Sequence, residues 1–225
     1  MYNNLEVMSS LMDQLYDTAL ETLMISQSLL FILSWLSVHL YVSHNGPMSS
    51  ASTMTKYNSR VYSAASLVLL VLIVWPSDDM LARHLYHASK FYEYLDILGV
   101  RAAGGSIDLH FGFHHLTTPY LTFIRVVQNS RGWKPFAALN AFHHTLMYAF
   151  FGGVGWLRPV LPWTGYLQLV VGIGVESWLV GEKMRGGGGD ARFHVIAGLI
   201  LTAYLVLFTR DLALRSREGV RQKSD

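Results

Sequence analysis

From Leu20 to Val42 the chain runs for 23 residues with a single charged side chain, Glu21. That is the length an α-helix needs to cross a hydrocarbon layer about 30 Å thick, at about 20 residues per span. Six further apolar stretches follow, at about 61–76, 80–99, 106–127, 134–154, 159–181 and 193–212. Lipid offers backbone groups no hydrogen-bond partner, so stretches of this length are expected to be helices. Composition agrees: 52% of the 225 residues are apolar and 14% charged, against about 25% charged in a soluble domain, and the mean hydropathy is +0.30. The expectation is an all-α polytopic membrane protein with about seven spans, folded as one domain over residues 1–225. It has a polar N-terminus (1–19), a bundle (20–212) and a basic tail (213–225). The opening residues MYNNLEVMSSLMDQLYD carry acidic groups and no basic n-region, so the first apolar run is expected to stay as a span rather than act as a cleaved signal.

Turn-forming residues separate the stretches: Asn45-Gly46-Pro47, Pro76-Ser77-Asp78-Asp79, Gly104-Gly105, Gly132, Gly152-Gly153 and Gly186 to Gly189. The four-glycine run follows no strand, so it reads as a loop tip rather than a phosphate cradle. There is no cysteine, which removes disulfides, thiolate metal sites and a Cys nucleophile. A net charge of +2 with no clustered basic face gives no nucleic-acid footprint. The tail RDLALRSREGVRQKSD is basic and is expected to be cytosolic. Seven spans then put Lys56, Arg60, Arg101 and Arg158 on the same side and the N-terminus on the other. The loop bearing Arg125, Arg131 and Lys134 departs from that rule. Arg221 and Lys223 have the spacing of a dibasic endoplasmic-reticulum retrieval signal.

Ionisable groups inside a span cost roughly 2.5–3.5 kcal/mol each on insertion scales, so their positions are informative. In SKFYEYLDIL, Lys90, Glu93 and Asp96 recur at every third residue and fall within one third of the helical wheel, where Lys90 and Glu93 pair as i, i+3 neighbours. In LHFGFHHLTTP, His110 and His114 share a face as i, i+4 residues while His115 points about 100° away. Asp108 precedes them and is placed to orient a ring. In NAFHHTLMYAFF, Asn140, His144 and Tyr148 form one row, and His143 points elsewhere. Each cluster also has a plain packing interpretation: a charge-neutralising network, buried hydrogen-bonded histidines, an aromatic stripe. His84, His87 and His194 lie near span ends, where interfacial histidine is unremarkable, and His39 and His44 lie at the exit of the first span.

Taken in order, the three clusters resemble the ELO family, the membrane-embedded very-long-chain fatty acid elongases. That family carries, in order, K-x-x-E-x-x-D-T, H-x-x-H-H, N-x-x-x-H-x-x-M-Y-x-Y-Y and T-x-x-Q-x-x-Q. Lys90, Glu93 and Asp96 fit the first, with Ile97 for the Thr, and Arg101 falls where the family carries a basic cluster. Asn140, His144, Met147 and Tyr148 fit the third, with Phe150 and Phe151 for the final tyrosines; Gln168 fits the fourth loosely. The box itself departs, reading H-x-x-x-H-H. Anchored on His114-His115-Leu-Thr-Thr it matches through Thr117 and Thr118 and displaces His110 by one residue. Gly112 is placed to support a local bulge that would absorb the extra residue.

The resemblance implies a 3-ketoacyl-CoA synthase that condenses acyl-CoA with malonyl-CoA, in a bundle enclosing an acyl tunnel. It needs no bound cofactor and no metal. It implies His114 as acyl acceptor, with His115 and His110 completing the box. His144 would act on malonyl-CoA and Asn140 would donate to an oxyanion. Lys90, Glu93, Asp96 and Tyr148 would shape the polar chamber, Gln168 would lie at its rim, and Arg101 and Arg158 would hold the CoA phosphates. The implied setting is the endoplasmic-reticulum membrane, multi-pass, with a cytosolic C-terminus, as a homo-oligomer or in a complex with downstream elongation enzymes. Two other readings stay open. A di-iron desaturase or hydroxylase would use His84, His87, His110, His114, His115, His143, His144 and His194 as ligands. A non-enzymatic lipid-binding seven-helix protein would tolerate loss of His114 and His144.

Overall fold

Backbone groups that meet no water must bond to one another locally, and in the computed structural model the chain is helical nearly throughout. The structure describes residues 2–75, 79–127, 131–186 and 191–221, with side chains from residue 22 to 214. The Pro76-Ser77-Asp78 turn, the glycine run beyond Gly186 and the Arg221/Lys223 pair lie outside the described residues and side chains. The helices are α1 (Tyr2–Asn45), α2 (Ala51–Val74), α3 (Asp79–Tyr92), α4 (Tyr94–Ala102), α5 (Leu109–Thr122), α6 (Trp133–Phe151), α7 (Leu161–Arg185) and α8 (Arg192–Arg221). A π-helical turn, Phe123–Val127, extends α5. No strand occurs among the described residues. Counted with α3 and α4 as one helix broken at Glu93, the passes number seven. The architecture is that of a polytopic helical membrane protein.

Among the described residues, three segments are long and apolar enough to cross a membrane by length and composition: Thr22–Asn45, Ala51–Val74 and Arg192–Leu214. The other four expected spans are shorter or more polar, because they carry inward-facing side chains. The molecule is correspondingly apolar outside and polar within. Leu29, Leu33, Val68, Val71, Leu199 and Val206 are exposed, while Lys90, Glu93, Asp96, Arg125, Asn140, His144 and Glu176 are buried. A protein in lipid gains nothing by hiding leucine, so helix association relies on close packing and interhelical hydrogen bonds. Between α2 and α6, Ser63 Oγ donates to the Thr145 carbonyl at 2.8 Å and Arg60 Nε to the Gly152 carbonyl at 2.8 Å. Between α7 and α8, Gly165 admits the Phe208 ring so closely that a Cβ there would lie 2.6 Å from Phe208 Cζ.

The α5–α8 seam is antiparallel and polar at three heights. Arg125 meets His194, Thr117 and Thr118 meet the Tyr204 hydroxyl, and His110 meets Asp211. α5 stays α-helical through Gly112, whose N–H bonds to the Asp108 carbonyl at 3.0 Å. The expected bulge is therefore absent there, and the π turn lies later, at Phe123–Val127, where it carries Arg125 into the interior. Asp108 caps the helix instead of orienting a ring, accepting from the Phe111 N–H at 2.7 Å.

The charges that broke the orientation rule are each neutralised. Arg125 pairs with Glu176, Arg131 with Glu182 at 2.6 Å and Lys134 with Asp79 at 2.7 Å. At the opposite end Lys56, Arg60, Arg101 and Arg158 have no carboxylate partner among the described residues. Charge asymmetry between the two ends is therefore greater than a count of Lys and Arg suggests.

Candidate active site

Glu93 sits at the break between α3 and α4, where the backbone stays near helical geometry, and Lys90, Glu93 and Asp96 all face inward. Lys90 retains 2% of its side-chain surface and Glu93 none. A buried ammonium and carboxylate persist only when paired and further hydrogen-bonded. Here Lys90 Nζ donates to Glu93 Oε1 at 2.6 Å and to Asn140 Oδ1 at 2.7 Å. Tyr62, from α2, donates to the same Glu93 oxygen at 2.8 Å. His144 Nδ1 lies 3.1 Å from it, off the line of a hydrogen bond, and keeps no hydrogen-bond partner. Glu93 Oε2 and His115 Nδ1 are likewise buried and unpartnered.

From α5, His114 comes to the same place. Glu93, His114 and His144 each present a polar atom within 4.8 Å of the others. His114 is held through its carbonyl, which accepts from Thr118 Oγ1 at 2.5 Å and from the Tyr204 hydroxyl at 3.3 Å. His115 is buried behind it, its ring edge-on to Phe111 with centroids 4.6 Å apart. Asn140 is more committed than a free oxyanion donor would be. Its Oδ1 accepts from Lys90 and from Tyr86 at 2.7 Å, and its Nδ2 donates to Gln168 Oε1 at 2.9 Å, leaving one N–H. Gln168 thus stands in the inner wall rather than at the rim. Asp96 joins a second branch, accepting from Tyr148 and, at 3.3 Å, from Asn58 Nδ2. The row Asn140, His144, Tyr148 faces the interior as its spacing requires.

A cavity of about 20 Å³ opens beside this network. His114, Asn140 and Gln168 line its polar side; Leu121, Phe136, Leu169 and Leu201 line the other. That volume admits about one water molecule, where an open acyl tunnel was expected.

Three expected site residues stand apart. His110 turns from the cluster to Asp211, with its ring centroid 6.1 Å from that of His114. Arg101 binds His39 Nδ1 and Ser43 Oγ, each at 3.1 Å, at the end of the bundle. Arg158 is exposed at that same end. The eight histidines do not converge as a di-iron set would require. His84 bonds the Met80 carbonyl, His87 the Thr122 hydroxyl, His143 the Thr164 hydroxyl and His194 Glu176. His194 is buried in that contact, not interfacial.

Two histidines and a carboxylate are a donor set that suits a divalent ion. Here the carboxylate oxygen nearest His144 already carries the Lys90 ammonium and the Tyr62 hydroxyl, so a cation would sit beside a buried positive charge. Tyr62, Tyr86 and Tyr204 were not expected in the site. The signal for them is slight: each is a lone tyrosine at no recognised motif position.

No curated protein and no solved structure matches the chain. The family description "ELO: GNS1/SUR4 family" matches residues 7–211. That is most of the 225 residues, and it takes in every buried group just described. The chain belongs to the ELO, GNS1/SUR4 family, the condensing enzymes of fatty acid elongation.

Proposed function

We infer that this chain condenses a long-chain acyl-CoA with malonyl-CoA to give 3-ketoacyl-CoA, CO2 and CoA, with His114 as transient acyl acceptor. The observation that carries the reading is the meeting of His114 and His144, from two helices, over one buried carboxylate neutralised by Lys90. A neutral imidazole is a competent acyl nucleophile. The His114 lone pair attacks the thioester carbon, the C–S bond breaks, and CoA thiolate leaves. The proton on the other ring nitrogen passes to Glu93. Malonyl-CoA then loses CO2, and the electron pair of the broken C–C bond becomes an enolate stabilised by His144. The enolate attacks the acyl carbon, the C–N bond to His114 breaks, and the ring recovers its proton from Glu93. The remaining Asn140 N–H is available to an oxyanion.

Lys90, through Glu93 and Asn140, and Asp96, through Tyr148, hold these groups in place. Gln168 fixes the Asn140 amide. The acyl chain enters between Leu121, Phe136, Leu169 and Leu201 by parting the helices around the small cavity. The unpaired basic residues Lys56, Arg60, Arg101 and Arg158 attract the CoA phosphates at the cytosolic end, with the C-terminus on that side of the endoplasmic-reticulum membrane. Association into oligomers or with later elongation enzymes belongs to the same reading.

Purified protein incubated with long-chain acyl-CoA alone is expected to release CoA and carry an acyl adduct on His114, mapped by mass spectrometry. Added malonyl-CoA should discharge it as 3-ketoacyl-CoA. Condensation without any adduct would replace the covalent route with a single-step one. Stoichiometric iron or zinc that activity requires would move the reading to metal chemistry at Glu93, His114 and His144.

A further inference from the structure

The condensation just described balances with CoA leaving as its thiolate. Malonyl-CoA enters as a carboxylate and leaves as neutral CO2, and the proton that moves between His114 and Glu93 returns to His114. To leave as the thiol, CoA takes up one proton from outside the site in every turnover. Lys90, Glu93, His115 and His144 are buried and His114 is partly so, so a proton taken up within the site needs a route.

We propose that His110, oriented by Asp211, is the proton entry to the buried site. This rests on the condensation reading. His110 Nδ1 lies 3.1 Å from Asp211 Oδ2, and the two side chains keep 20% and 18% of their surface. They are thus paired yet in reach of water. His110 is four residues before His114 on α5, about 6 Å along the helix axis. The rings are 6.1 Å apart, so one water or the thiolate sulfur itself spans them. An imidazole held by a carboxylate is fixed in tautomer and orientation. The thiolate takes the proton from His110, and His110 is reprotonated from solvent.

The displaced register of the histidine box turns His110 away from His115. With Phe111 one residue on and packed against His115, His110 faces α8, where Asp211 waits. The other charged groups nearby are otherwise engaged or point to solvent. Asp108 caps α5, Arg101 of α4 is tied to His39 and Ser43, and Arg210 is exposed. Phe208 covers the remaining side of the ring, with centroids 5.8 Å apart.

The test is turnover of full-length His110→Ala in dilute buffer at fixed pH and ionic strength. kcat is expected to fall about 100-fold, at the low end of general acid–base effects, with KM for malonyl-CoA unchanged. Added imidazole should restore it in a concentration-dependent way that the unaltered protein does not show. Asp211→Asn should lower kcat in the same assay with KM for malonyl-CoA unchanged, because His110 loses the partner that orients it. A variant that turns over normally in dilute buffer, or whose loss no imidazole restores, overturns the relay while leaving condensation intact. An unaltered chain that forms no 3-ketoacyl-CoA overturns the condensation reading, and the relay with it.

Discussion

Replacing Glu93 by Gln tests whether the buried carboxylate holds the site together. The amide keeps the side chain's size and leaves an oxygen to accept from Lys90 and Tyr62, which now donate at 2.6 and 2.8 Å. It removes the charge. Lys90 then remains as an ammonium with almost no exposed surface, its only other acceptor the neutral Asn140 oxygen at 2.7 Å. Breaking a buried pair by removing one partner costs about 3–5 kcal/mol, because the surviving charge is uncompensated. With both hydrogen bonds retained, the lower end, about 3 kcal/mol, is expected. For a chain of this size about 1 kcal/mol moves Tm by ~2–4 °C, so a fall of ~6–12 °C follows. Thermal unfolding in one detergent, followed by circular dichroism, measures it. The companion variant carries Lys90→Met with Glu93→Gln. Having no buried charge, it is expected to recover most of the loss, since apolar replacement of a buried pair is often neutral. Glu93→Gln within about 1 °C of the unaltered protein, or a double variant no better than the single one, would refute the pairing argument.

Arg125→Met leaves Glu176 buried against His194 alone and should lower Tm comparably, by ~6 °C or more in the same assay; adding Glu176→Leu should return most of it. Gly165→Ala places a methyl 2.6 Å from Phe208 Cζ, so the α7–α8 contact must shift, at about 1–3 kcal/mol for overpacking; thermal unfolding should show it, and Phe208→Leu in the same chain should relieve it.

What could be read from the sequence was the set of residues whose presence in a span carries a cost. Lys90, Glu93 and Asp96 lie every third residue in an apolar stretch, and that spacing places all three inside. His114 and His144 were legible for the same reason. Tyr62 and Tyr204 were not, because a tyrosine hydroxyl costs little to place in a helix and marks no face by itself. Asp211 was hidden differently: it opens a basic tail, and its partner lies 101 residues earlier. His194 looked interfacial because Glu176, which buries it, stands across a loop, on the preceding helix. Local pattern shows which groups are expensive to bury; it does not show which helices meet.

The same logic explains why hydropathy finds only three spans clearly. Thr22–Asn45, Ala51–Val74 and Arg192–Leu214 turn leucine and valine to the outside, while α3 to α7 supply most of the polar interior. A helix that contributes a lysine, a glutamate or two histidines to a buried network loses mean hydropathy in proportion. It can remain in the membrane only because its neighbours satisfy those groups. The weak spans are therefore where the chemistry should be sought. The Glu93 break is the extreme case: the carboxylate that interrupts the helix is the one that Lys90, Tyr62 and His144 surround.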